Sequence, residues 1–448
     1  MLTKKIDLPV QFYTTKHERS EVTIDNKNVM KINGGIPLSG TVKTQGAKNA
    51  ALPVMAVCLL LRGETLTLDN VPDLYDIHTM IETLESLGVE AEIRRDSKVS
   101  QVIFRTPDEL KYEVSEALAR KMRASSLVLG PLLANCGRVS LPLPGGCSIG
   151  SRPIDLHLKG LKQMGADIDI QNGVVHASVK GRLRGRRIYL DFPSVGATEN
   201  LMMAASLAQG ETIIENVARE PEIDNLAAVL RCVGVTVETE GAGGVRIIGI
   251  DKAHSGHERV IPDRIEACTY ILAGVMTNGH IKVEDLVPSH IDAILAKLEE
   301  AGAKFSVKKS TVEIFPSKKR LHPINVKTMP YPGFPTDSQP QMAAALSVAR
   351  GVSTIEESVF QARFLYAQEL NRMGADIQIS RDVAIIRGVD GLQGASVKAT
   401  DLRAGAALII AGLAAKGETR VDDMIHVWRG YEAIDQKLRG LGAKVELV

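Results

Sequence analysis

The sequence has no excess charge of one sign and few aromatic residues. Its 54 Lys and Arg residues face 53 Asp and Glu residues, which leaves a formal net charge of +1 over 448 residues. A surface that coats nucleic acid needs a strong positive excess, and a disordered chain is poorer in apolar residues, so both are excluded for the whole chain. Aromatic residues make up 4% and hydrophobic residues 44%, as in ordinary globular proteins. We therefore expect a folded protein that has no nucleic-acid partner.

Long hydrophobic runs and paired cysteines are also absent. The longest strictly apolar run, residues 404–415, is shorter than the ~18 residues that a membrane-spanning helix needs. The first residues interleave charges and Pro with short apolar stretches, without the hydrophobic core of a signal peptide. The five cysteines are an odd number and have no Cys-x-x-Cys spacing, which argues against a disulfide framework and a zinc site. We expect a cytoplasmic protein with no membrane span, no metal and no cofactor.

A recurring phrase of the form L-G-A-x-V divides the chain into six copies. A second glycine precedes each phrase by 23 to 28 residues. Units near 70 residues are longer than the roughly 20 to 45 residues of solenoid repeats, and the chain is too long for one compact core. Two lobes of three units each fit better. The glycines of the phrase, 68 to 77 residues apart, are Gly88, Gly165, Gly234, Gly302, Gly374 and Gly442.

Each copy follows the same internal plan. It opens with a helix that is apolar on all faces, such as residues 50–61, and such a helix must be buried on all sides. A strand and a one-sided helix follow: in the first copy, Leu74 and Ile77 face inward. Glu82 and Glu85 should stay in water. The pattern predicts an α/β (α+β) fold of two inside-out α/β barrel lobes, each of three repeated units, with buried helices inside and sheets with amphipathic helices outside. The next glycine fits a helix C-cap.

Polar residues collect where the buried helices begin. Free N–H groups and the helix dipole favour anions there. An Asp or Thr at such a position can equally be an N-cap, whereas a Lys or Arg is unfavourable unless something negative is bound nearby. Four units carry such a cation, so the pattern favours an anionic ligand in the cleft between the lobes. The residues are Lys48, Asn49, Arg123, Thr198, Glu199, Asp263, Arg264, Asp337, Asp401 and Arg403.

A glycine-rich loop, residues 144–152 (P-G-G-C-S-I-G-S-R), carries Cys147 five residues before Arg152. A mobile polar segment with a nearby cation lowers the pKa of a thiol and makes it available for chemistry. From the residues alone, Cys147 is either a catalytic thiol or an incidental surface thiol. The other four cysteines lie within or beside apolar helices, where a free Cys acts as a small hydrophobe. The P-loop and G-x-G-x-x-G motifs are missing from the sequence.

Eight ordered motifs between about residue 31 and residue 448 resemble one family. They are Q-G-A-K-N-A-A-L-P, P-G-G-C-S-I-G-S-R-P-I-D-L-H, S-V-G-A-T-E-N, A-R-E-P-E-I, P-D-R-I-E, F-P-T-D-S-Q, A-T-D-L-R-A and R-G-Y-E. The sequence is similar to the UDP-N-acetylglucosamine 1-carboxyvinyltransferase family of enolpyruvyl transferases. The resemblance implies two inside-out lobes around a cleft, with crossings near Gln45 and Pro262. The implied division is an N-terminal extension at 1–27, a lobe at 46–261 that carries the Cys147 loop, and a second lobe at 28–45 plus 262–448.

The resemblance also implies the reaction. The enolpyruvyl group of phosphoenolpyruvate moves to the 3-hydroxyl of UDP-N-acetylglucosamine, and phosphate is released through a tetrahedral adduct, at the start of peptidoglycan synthesis. Both substrates are small molecules. Asp337 would accept the hydroxyl proton. Cys147, the thiol that fosfomycin-type epoxides alkylate, would protonate the methylene carbon or attack C2.

The resemblance further implies the substrate contacts. Lys48, Arg123, Arg152 and Arg429 would surround phosphoenolpyruvate. The contacts to uridine diphosphate would be Arg152, Pro153, Ile154, Asp155, Leu156, His157, Ser194, Val195 and Gly196. The other implied substrate-binding residues are Asn49, Val359, Arg363, Asp401, Leu402 and Arg403. The sequence departs from the family at Trp428, where an Asp is usual, and at Ala362, where an Asn is usual.

Three alternatives stay open beside this interpretation. An enolpyruvyl transferase could use another acceptor, although shikimate-type relatives lack the loop cysteine, so Cys147 argues against that branch. A non-catalytic relative that senses the nucleotide sugar would have no reason to keep Lys48, Cys147, Asp337 and Arg429 together. A plain repeat scaffold leaves the cations at the helix starts unexplained.

Overall fold

A computed structural model describes residues 28–95, 100–143, 154–241, 243–360 and 362–448. In these ranges the chain forms α1 (Lys48–Ala56), α2 (Tyr75–Ser86), α3 (Glu116–Lys121), α4 (Leu129–Cys136), α5 (Asp155–Gln163), α6 (Val195–Ser206), α7 (Pro221–Cys232), α8 (Arg264–Met276), α9 (Asp292–Glu300), α10 (Gln339–Leu346), α11 (Tyr366–Arg372), α12 (Leu402–Ala414) and α13 (Ile434–Gly440). Short 3₁₀ helices cover Val57–Leu60, Arg123–Val128, Pro288–Ile291, Thr336–Ser338 and Met424–Arg429.

The strands are short, mostly of five residues. They are β1 (Val29–Asn33), β2 (Ser39–Lys43), β3 (Thr65–Asp69), β4 (Glu90–Arg95), β5 (Ser100–Arg105), β6 (Arg138–Pro142), β7 (Asp167–Gln171), β8 (Val174–Ser178), β9 (Arg187–Tyr189), β10 (Glu211–Glu215), β11 (Thr236–Glu240), β12 (Gly244–Ile248), β13 (Gly256–Arg259), β14 (His280–Glu284), β15 (Lys304–Lys308), β16 (Thr311–Phe315), β17 (Asn325–Lys327), β18 (Val352–Glu356), β19 (Asp376–Ser380), β20 (Val383–Arg387), β21 (Ser396–Lys398), β22 (Glu418–Asp422) and β23 (Lys444–Leu447).

The described residues form six small sheets, of which five share one four-stranded arrangement and one has three strands. Their strand orders are β13-β3-β5-β4, β6-β8-β7, β11-β12-β10-β9, β15-β16-β14-β2, β17-β18-β20-β19 and β21-β22-β1-β23. The first two strands of the chain complete sheets that are otherwise built after residue 262: β2 pairs in parallel with β14, and β1 lies between β22 and β23. An antiparallel bridge between Gly46 and Pro262 joins the two passages of the chain.

The polar stretch 254–262 does more than connect the two halves. Its residues Gly256–Arg259 form β13, which pairs in parallel with β3 at the edge of the first sheet. The prediction of a simple crossing was therefore incomplete. The side chains of residues 254–262 did not indicate a strand, because an edge strand is held by hydrogen bonds between backbone N–H and C=O groups, which do not depend on side-chain type.

Two hydrophobic clusters form the cores of the two lobes. One runs from Ala47 to Val260, and the other joins Met30–Val42 to residues 267–445. Helices α1, α4 and α6 are buried in the first, and α8, α10 and α12 in the second. The predicted inside-out arrangement is confirmed. None of the helices in the described ranges has both the length and the hydropathy to cross a membrane.

The six glycines of the repeat phrase all adopt positive φ, between 81° and 107°. Each follows an amphipathic helix directly, as Gly88 follows α2 and Gly442 follows α13. A side chain in this left-handed conformation would be strained, so glycine is the residue that ends the helix at least cost. The repeat phrase therefore marks a helix terminus in every unit.

Helix α2 differs from the prediction in its polar face. Leu74, Ile77 and Glu85 lie as expected, the first two buried and the last exposed. Asp76 and His78 are nevertheless buried, because the start of α2 packs against the 3₁₀ helix Met424–Arg429 of the second lobe. A face that looks solvated in the sequence is thus partly an interlobe contact.

Candidate active site

A carboxylate joins the two lobes at the start of helix α2. Asp76 lies in the first turn of this helix, and its side chain is only 4% exposed. Its Oδ2 accepts a hydrogen bond from Lys48 Nζ at 2.9 Å, and its Oδ1 accepts one from Arg429 Nε at 2.9 Å. Lys48 begins α1 in the first lobe, whereas Arg429 ends a 3₁₀ helix of the second. We call these three residues the Asp76 cluster.

The two cations keep Asp76 ionised. Burial alone raises the pKa of this carboxyl, but Lys48 and then Arg429 lower it by more, so the pKa lies below its ordinary value. One negative charge thus stands between two positive charges. The Arg429 side chain is 38% exposed, so the accessible charge of the cluster is positive.

A second cluster lies within the second lobe. The carboxylate of Asp337 accepts hydrogen bonds from Arg363 Nη2 at 2.8 Å and from Arg403 Nη2 at 3.2 Å. The arginine side chains are 3% and 5% exposed, whereas that of Asp337 is 27% exposed. The accessible group here is therefore a carboxylate. We call these three residues the Asp337 cluster.

Arg403 is held by several groups at once. Burial lowers the pKa of its guanidinium, but Asp337 and the Tyr431 hydroxyl more than offset this effect and raise the pKa above its ordinary value. Arg403 Nη1 also donates a hydrogen bond to Tyr431 Oη at 3.3 Å. Tyr431 follows Arg429 by two residues, so a short stretch of backbone connects the two clusters.

The helix starts contain three true side-chain N-caps. Asp401 Oδ1 accepts from the backbone N–H groups of Arg403 and Ala404, Asp263 Oδ1 caps α8 in the same way, and Ser194 Oγ caps α6. Asp337 does not hold the cap position of α10, which belongs to Ser338. The N-cap alternative therefore describes Asp401 and Asp263, whereas the carboxylate of Asp337 bonds to two arginines.

Three of the four cations at the helix starts have negative partners within the chain. Lys48 pairs with Asp76, and Arg403 pairs with Asp337. The third, Arg264, pairs with Glu222 of the first lobe, Nε to Oε1 at 3.0 Å. The expectation that only a bound anion could offset these cations was wrong, because carboxylates from neighbouring helices offset them. An anion that bound here would have to lie beside these pairs or compete with them.

Glu199, another residue at a helix start, is fully buried. Burial raises the pKa of its carboxyl well above its usual range, and the nearby carboxylates of Glu222 and Glu220 raise it further. The sequence offered no sign of this, because Glu199 lies in α6, whereas Glu220 and Glu222 lie at the start of α7.

Two of the predicted nucleotide-binding segments lie against each other. His157, in the first turn of α5, is buried, and its ring atoms lie 3.2 and 3.3 Å from the position that a Cβ would take at Gly196. Gly196 stands in the first turn of α6 after Ser194 and Val195. A side chain at this position would press on the imidazole, which would have to shift by a few tenths of an ångström. Ile154, Asp155 and Leu156 lie at the start of α5, so the two segments share one region.

The other predicted residues are spread over both lobes. Asn49 is exposed in the first turn of α1, and Arg123 begins the 3₁₀ helix Arg123–Val128. Val359 N donates a hydrogen bond to Glu357 Oε1 at 2.9 Å. Leu402 opens α12, and its side chain occupies the space beside Gly430. Cys147, Arg152 and Pro153 lie outside the described residues, so their roles stay predictions.

Two of the remaining cysteines lie in the hydrophobic cores, whereas Cys136 and Cys232 are half-buried. Cys58 and Cys268 are fully buried, and burial raises the pKa of Cys268 to about 12. Across the described ranges, His, Cys, Asp and Glu form no group of three that could hold a metal ion. Trp428 is half-buried and packs against the second hydrophobic cluster.

Sequence reasoning missed Asp76 and Glu222. Both lie in the first turn of an amphipathic helix, where an acidic residue is normally explained by the helix dipole. Each pairs with an arginine of the other lobe, Asp76 with Arg429 and Glu222 with Arg264, and Arg429 is 353 residues away from Asp76. The sequence did show an acidic residue in the first turn of the amphipathic helix in two units, Asp76 in α2 and Glu222 in α7. This pattern does not identify the cation with which either residue pairs.

The chain is similar to known proteins over nearly all of its length. The family described as EPSP synthase (3-phosphoshikimate 1-carboxyvinyltransferase) matches residues 32–438. A UDP-N-acetylglucosamine 1-carboxyvinyltransferase 2 from Carboxydothermus hydrogenoformans is 50% identical over 418 residues, which cover 93% of this chain and 98% of the relative. The chain belongs to the carboxyvinyltransferases, the enolpyruvyl transferase family. A UDP-N-acetylglucosamine 1-carboxyvinyltransferase from Idiomarina loihiensis is 48% identical and covers 93% of the chain and 99% of the relative.

Solved structures of this family share the fold. The enolpyruvyl transferase NikO from Streptomyces tendae superimposes with a TM-score of 0.84 at 25% identity, covering 93% of this chain and 98% of that one. EPSP synthase from Acinetobacter baumannii gives a TM-score of 0.71 at 19% identity, covering 93% and 99%. The second likeness concerns the fold alone. This carboxyvinyltransferase is therefore an enzyme, a transferase of enolpyruvyl groups.

Proposed function

We propose that this enzyme transfers the enolpyruvyl group of phosphoenolpyruvate to the 3-hydroxyl of UDP-N-acetylglucosamine and releases phosphate. The observation that carries the proposal is the accessible carboxylate of Asp337, held by two buried arginines, in a chain with near-full-length relatives of that name. A sugar hydroxyl needs an acceptor for its proton, and Asp337 supplies one that is both fixed and reachable.

The proposed reaction has two balanced steps. In the first, the sugar oxygen bonds to C2 of phosphoenolpyruvate, its proton passes to Asp337, and the methylene carbon C3 gains a proton. In the second, the bond from C2 to the phosphate oxygen breaks, and C3 loses a proton, which restores the double bond. The exposed guanidinium of Arg429, with Lys48 behind it, would neutralise the phosphate and carboxylate of phosphoenolpyruvate.

The role of Cys147 in this proposal rests on the resemblance alone. We infer that its thiol delivers the proton to C3. Cys147→Asp should keep substantial turnover, because a carboxylic acid still carries a proton. It should also lose alkylation by a fosfomycin-type epoxide, because the thiolate nucleophile is gone. Intact-mass measurement checks the alkylation, and an Asp variant that makes no product at any pH would contradict the proton-donor role.

The same proposal covers the biological setting. An enzyme of this activity would act on soluble metabolites in the cytoplasm, at the start of peptidoglycan synthesis, without nucleic acid as a partner. We also propose that the domain boundaries lie near Gln45 and Pro262. The Gly46–Pro262 bridge and the two hydrophobic clusters support this division. Binding of the nucleotide sugar would draw the lobes together, and small-angle scattering with UDP-N-acetylglucosamine would detect the compaction.

Phosphate release from phosphoenolpyruvate tests the acceptor directly. UDP-N-acetylglucosamine should support release, whereas shikimate 3-phosphate and UDP-glucose should support little. Release with a different nucleotide sugar alone would point to a related transferase with another acceptor. Binding of UDP-N-acetylglucosamine by calorimetry without release under any condition would point to a non-catalytic relative. Each alternative therefore has its own outcome.

A further inference from the structure

Asp76 takes the place that an anion would occupy between two cations. Its two carboxylate oxygens accept from Lys48 Nζ at 2.9 Å, from Arg429 Nε at 2.9 Å and from Arg429 Nη2 at 3.4 Å. A substrate phosphate or carboxylate would use the same donors, because carboxylate and phosphate oxygens suit the edge of a guanidinium equally well. In this conformation, the Nε edge of Arg429 is already occupied.

The same contact ties the two lobes together. Lys48 and Asp76 belong to the first lobe and Arg429 to the second. Close by, the backbone N–H of Asp73 donates to Glu432 Oε2 at 3.2 Å, which is a second link between the start of α2 and the segment after Arg429. Arg429 can leave Asp76 only if this segment shifts or its long side chain swings away.

A helix-dipole role does not account for the arrangement. An acidic residue in the first turn of a helix stabilises it without any contact to a cation. Asp76 instead is nearly fully buried and uses both oxygens on cations from two different lobes. Burying a carboxylate is costly unless it is paired and hydrogen-bonded, so the position of Asp76 is explained by Lys48 and Arg429.

We propose that Asp76 is a built-in competitor for the anionic substrate. In the ligand-free enzyme its carboxylate holds Arg429 against Lys48, and phosphoenolpyruvate must displace it from Arg429 in order to bind. The inference rests on the proposed function, since that function assigns Lys48 and Arg429 to phosphoenolpyruvate. Asp76 thereby positions the two cations and sets a threshold for anion binding, although it takes no part in the bond changes.

The single tryptophan of the chain offers a direct reporter. Trp428 precedes Arg429, is half-buried and packs against the second hydrophobic cluster. A shift of the segment that carries Arg429 moves the backbone beside the indole, and a swing of the Arg429 side chain moves the positive charge of the neighbouring residue. Trp428 fluorescence therefore follows the release of Arg429 without any need for turnover.

The experiment compares the unaltered enzyme with Asp76→Asn and a matched control. Glu85→Gln removes the same charge from the same helix at an exposed position. Inorganic phosphate is titrated into each protein while Trp428 fluorescence is recorded. Removing the competing charge should tighten phosphate binding roughly 5- to 10-fold in Asp76→Asn, with no change in Glu85→Gln. The ligand-free emission of Asp76→Asn should already resemble that of the phosphate-saturated unaltered enzyme.

Unchanged or weaker phosphate binding by folded Asp76→Asn would overturn the proposal, and weaker binding would mean that Asp76 orients the cations for the ligand. Asp76→Glu keeps the charge and should bind phosphate no more tightly than the unaltered enzyme. If circular dichroism shows that Asp76→Asn does not fold, Asp76→Ser takes its place with the same expectation. Phosphate binding needs no acceptor sugar. The phosphate titration therefore tests the role of Asp76 even if the proposed transfer reaction is not observed.

Discussion

The two carboxylates of the site occupy opposite environments. In the Asp76 cluster, the carboxylate is buried at 4% exposure, and the arginine reaches solvent at 38%. In the Asp337 cluster, the arginines are buried at 3% and 5%, and the carboxylate is 27% exposed. The pairing is of the same kind in both, but the group that faces outward has the opposite charge.

The opposite charge of the exposed group suits the two clusters to two different chemical tasks, although both are built from carboxylate–cation pairs. A buried carboxylate that fixes an exposed cation presents positive charge, which suits the binding of an anion. Two buried cations that fix an exposed carboxylate present a base, which suits the removal of a proton from a hydroxyl. The Asp76 cluster also draws its members from both lobes, whereas the Asp337 cluster lies within one, so lobe motion affects only the first directly.

The largest expected effect is on the exposed base. Asp337→Asn keeps the shape of the side chain and removes the basic oxygen, so turnover should fall by roughly 100-fold or more. The unfolding temperature should fall as well, because Arg363 and Arg403 lose the charge that compensates their burial. Phosphate release under saturating substrates measures the turnover.

Asp263→Asn is the matched control for Asp337→Asn. Asp263 caps helix α8 through two backbone N–H groups, and Asn caps a helix about as well as Asp. Its turnover should stay close to that of the unaltered enzyme. Near-normal turnover in Asp337→Asn would instead return Asp337 to a structural role beside its two arginines.

The second effect concerns the exposed cation. Arg429→Ala removes a charge-assisted contact to phosphoenolpyruvate, so the KM for phosphoenolpyruvate should rise roughly 10- to 100-fold. The control is Arg259→Ala, which removes another exposed arginine, paired with Asp285 at 3.2 Å. A similar rise of the KM for phosphoenolpyruvate in both variants would mean that Arg429 acts only through the overall positive charge of the protein and not through direct contact with the substrate.

The third effect is the pH dependence of stability that Asp76 contributes. Its folded-state pKa is lowered, so the contribution is fully present above the ordinary carboxyl pKa of ~3.9 and is lost as pH falls through the folded value. At pH 7, Asp76→Asn should be less stable by about 1–3 kcal/mol. Denaturant unfolding at pH 7 and near pH 3 measures the difference, and a difference that persists unchanged at the lower pH would contradict the ion-pair explanation.

The smallest effect tests the capping role of Asp401. Asp401→Ala should cost about 1 kcal/mol because two backbone N–H groups of α12 lose their acceptor. Asp401→Asn should change the free energy of unfolding by only about a few tenths of a kcal/mol, because Asn caps a helix about as well as Asp. Equal losses in the two variants would show that the negative charge of Asp401 matters more than its cap hydrogen bonds.

The fold was largely predictable because its determinants are local and repeated six times. The fully apolar helices and the glycines at 88, 165, 234, 302, 374 and 442 each report on their immediate neighbours along the chain. The prediction missed β13 within residues 254–262, because an edge strand is defined by its backbone partner, β3, and its side chains carry little signal.

The sequence by itself determined the six-unit plan, the buried helices, the family and the positions of Lys48, Asp337, Arg403 and Arg429. Tertiary structure alone decided which charges meet. Asp76 and Glu222 look like first-turn acids on solvated helix faces, and each pairs with an arginine of the other lobe. Charge pairing depends on distances of a few ångströms between segments far apart in sequence, and no local pattern encodes such distances. For the same reason, the opposite exposure of Asp76 and Asp337 follows only from the packing of the helices that carry them.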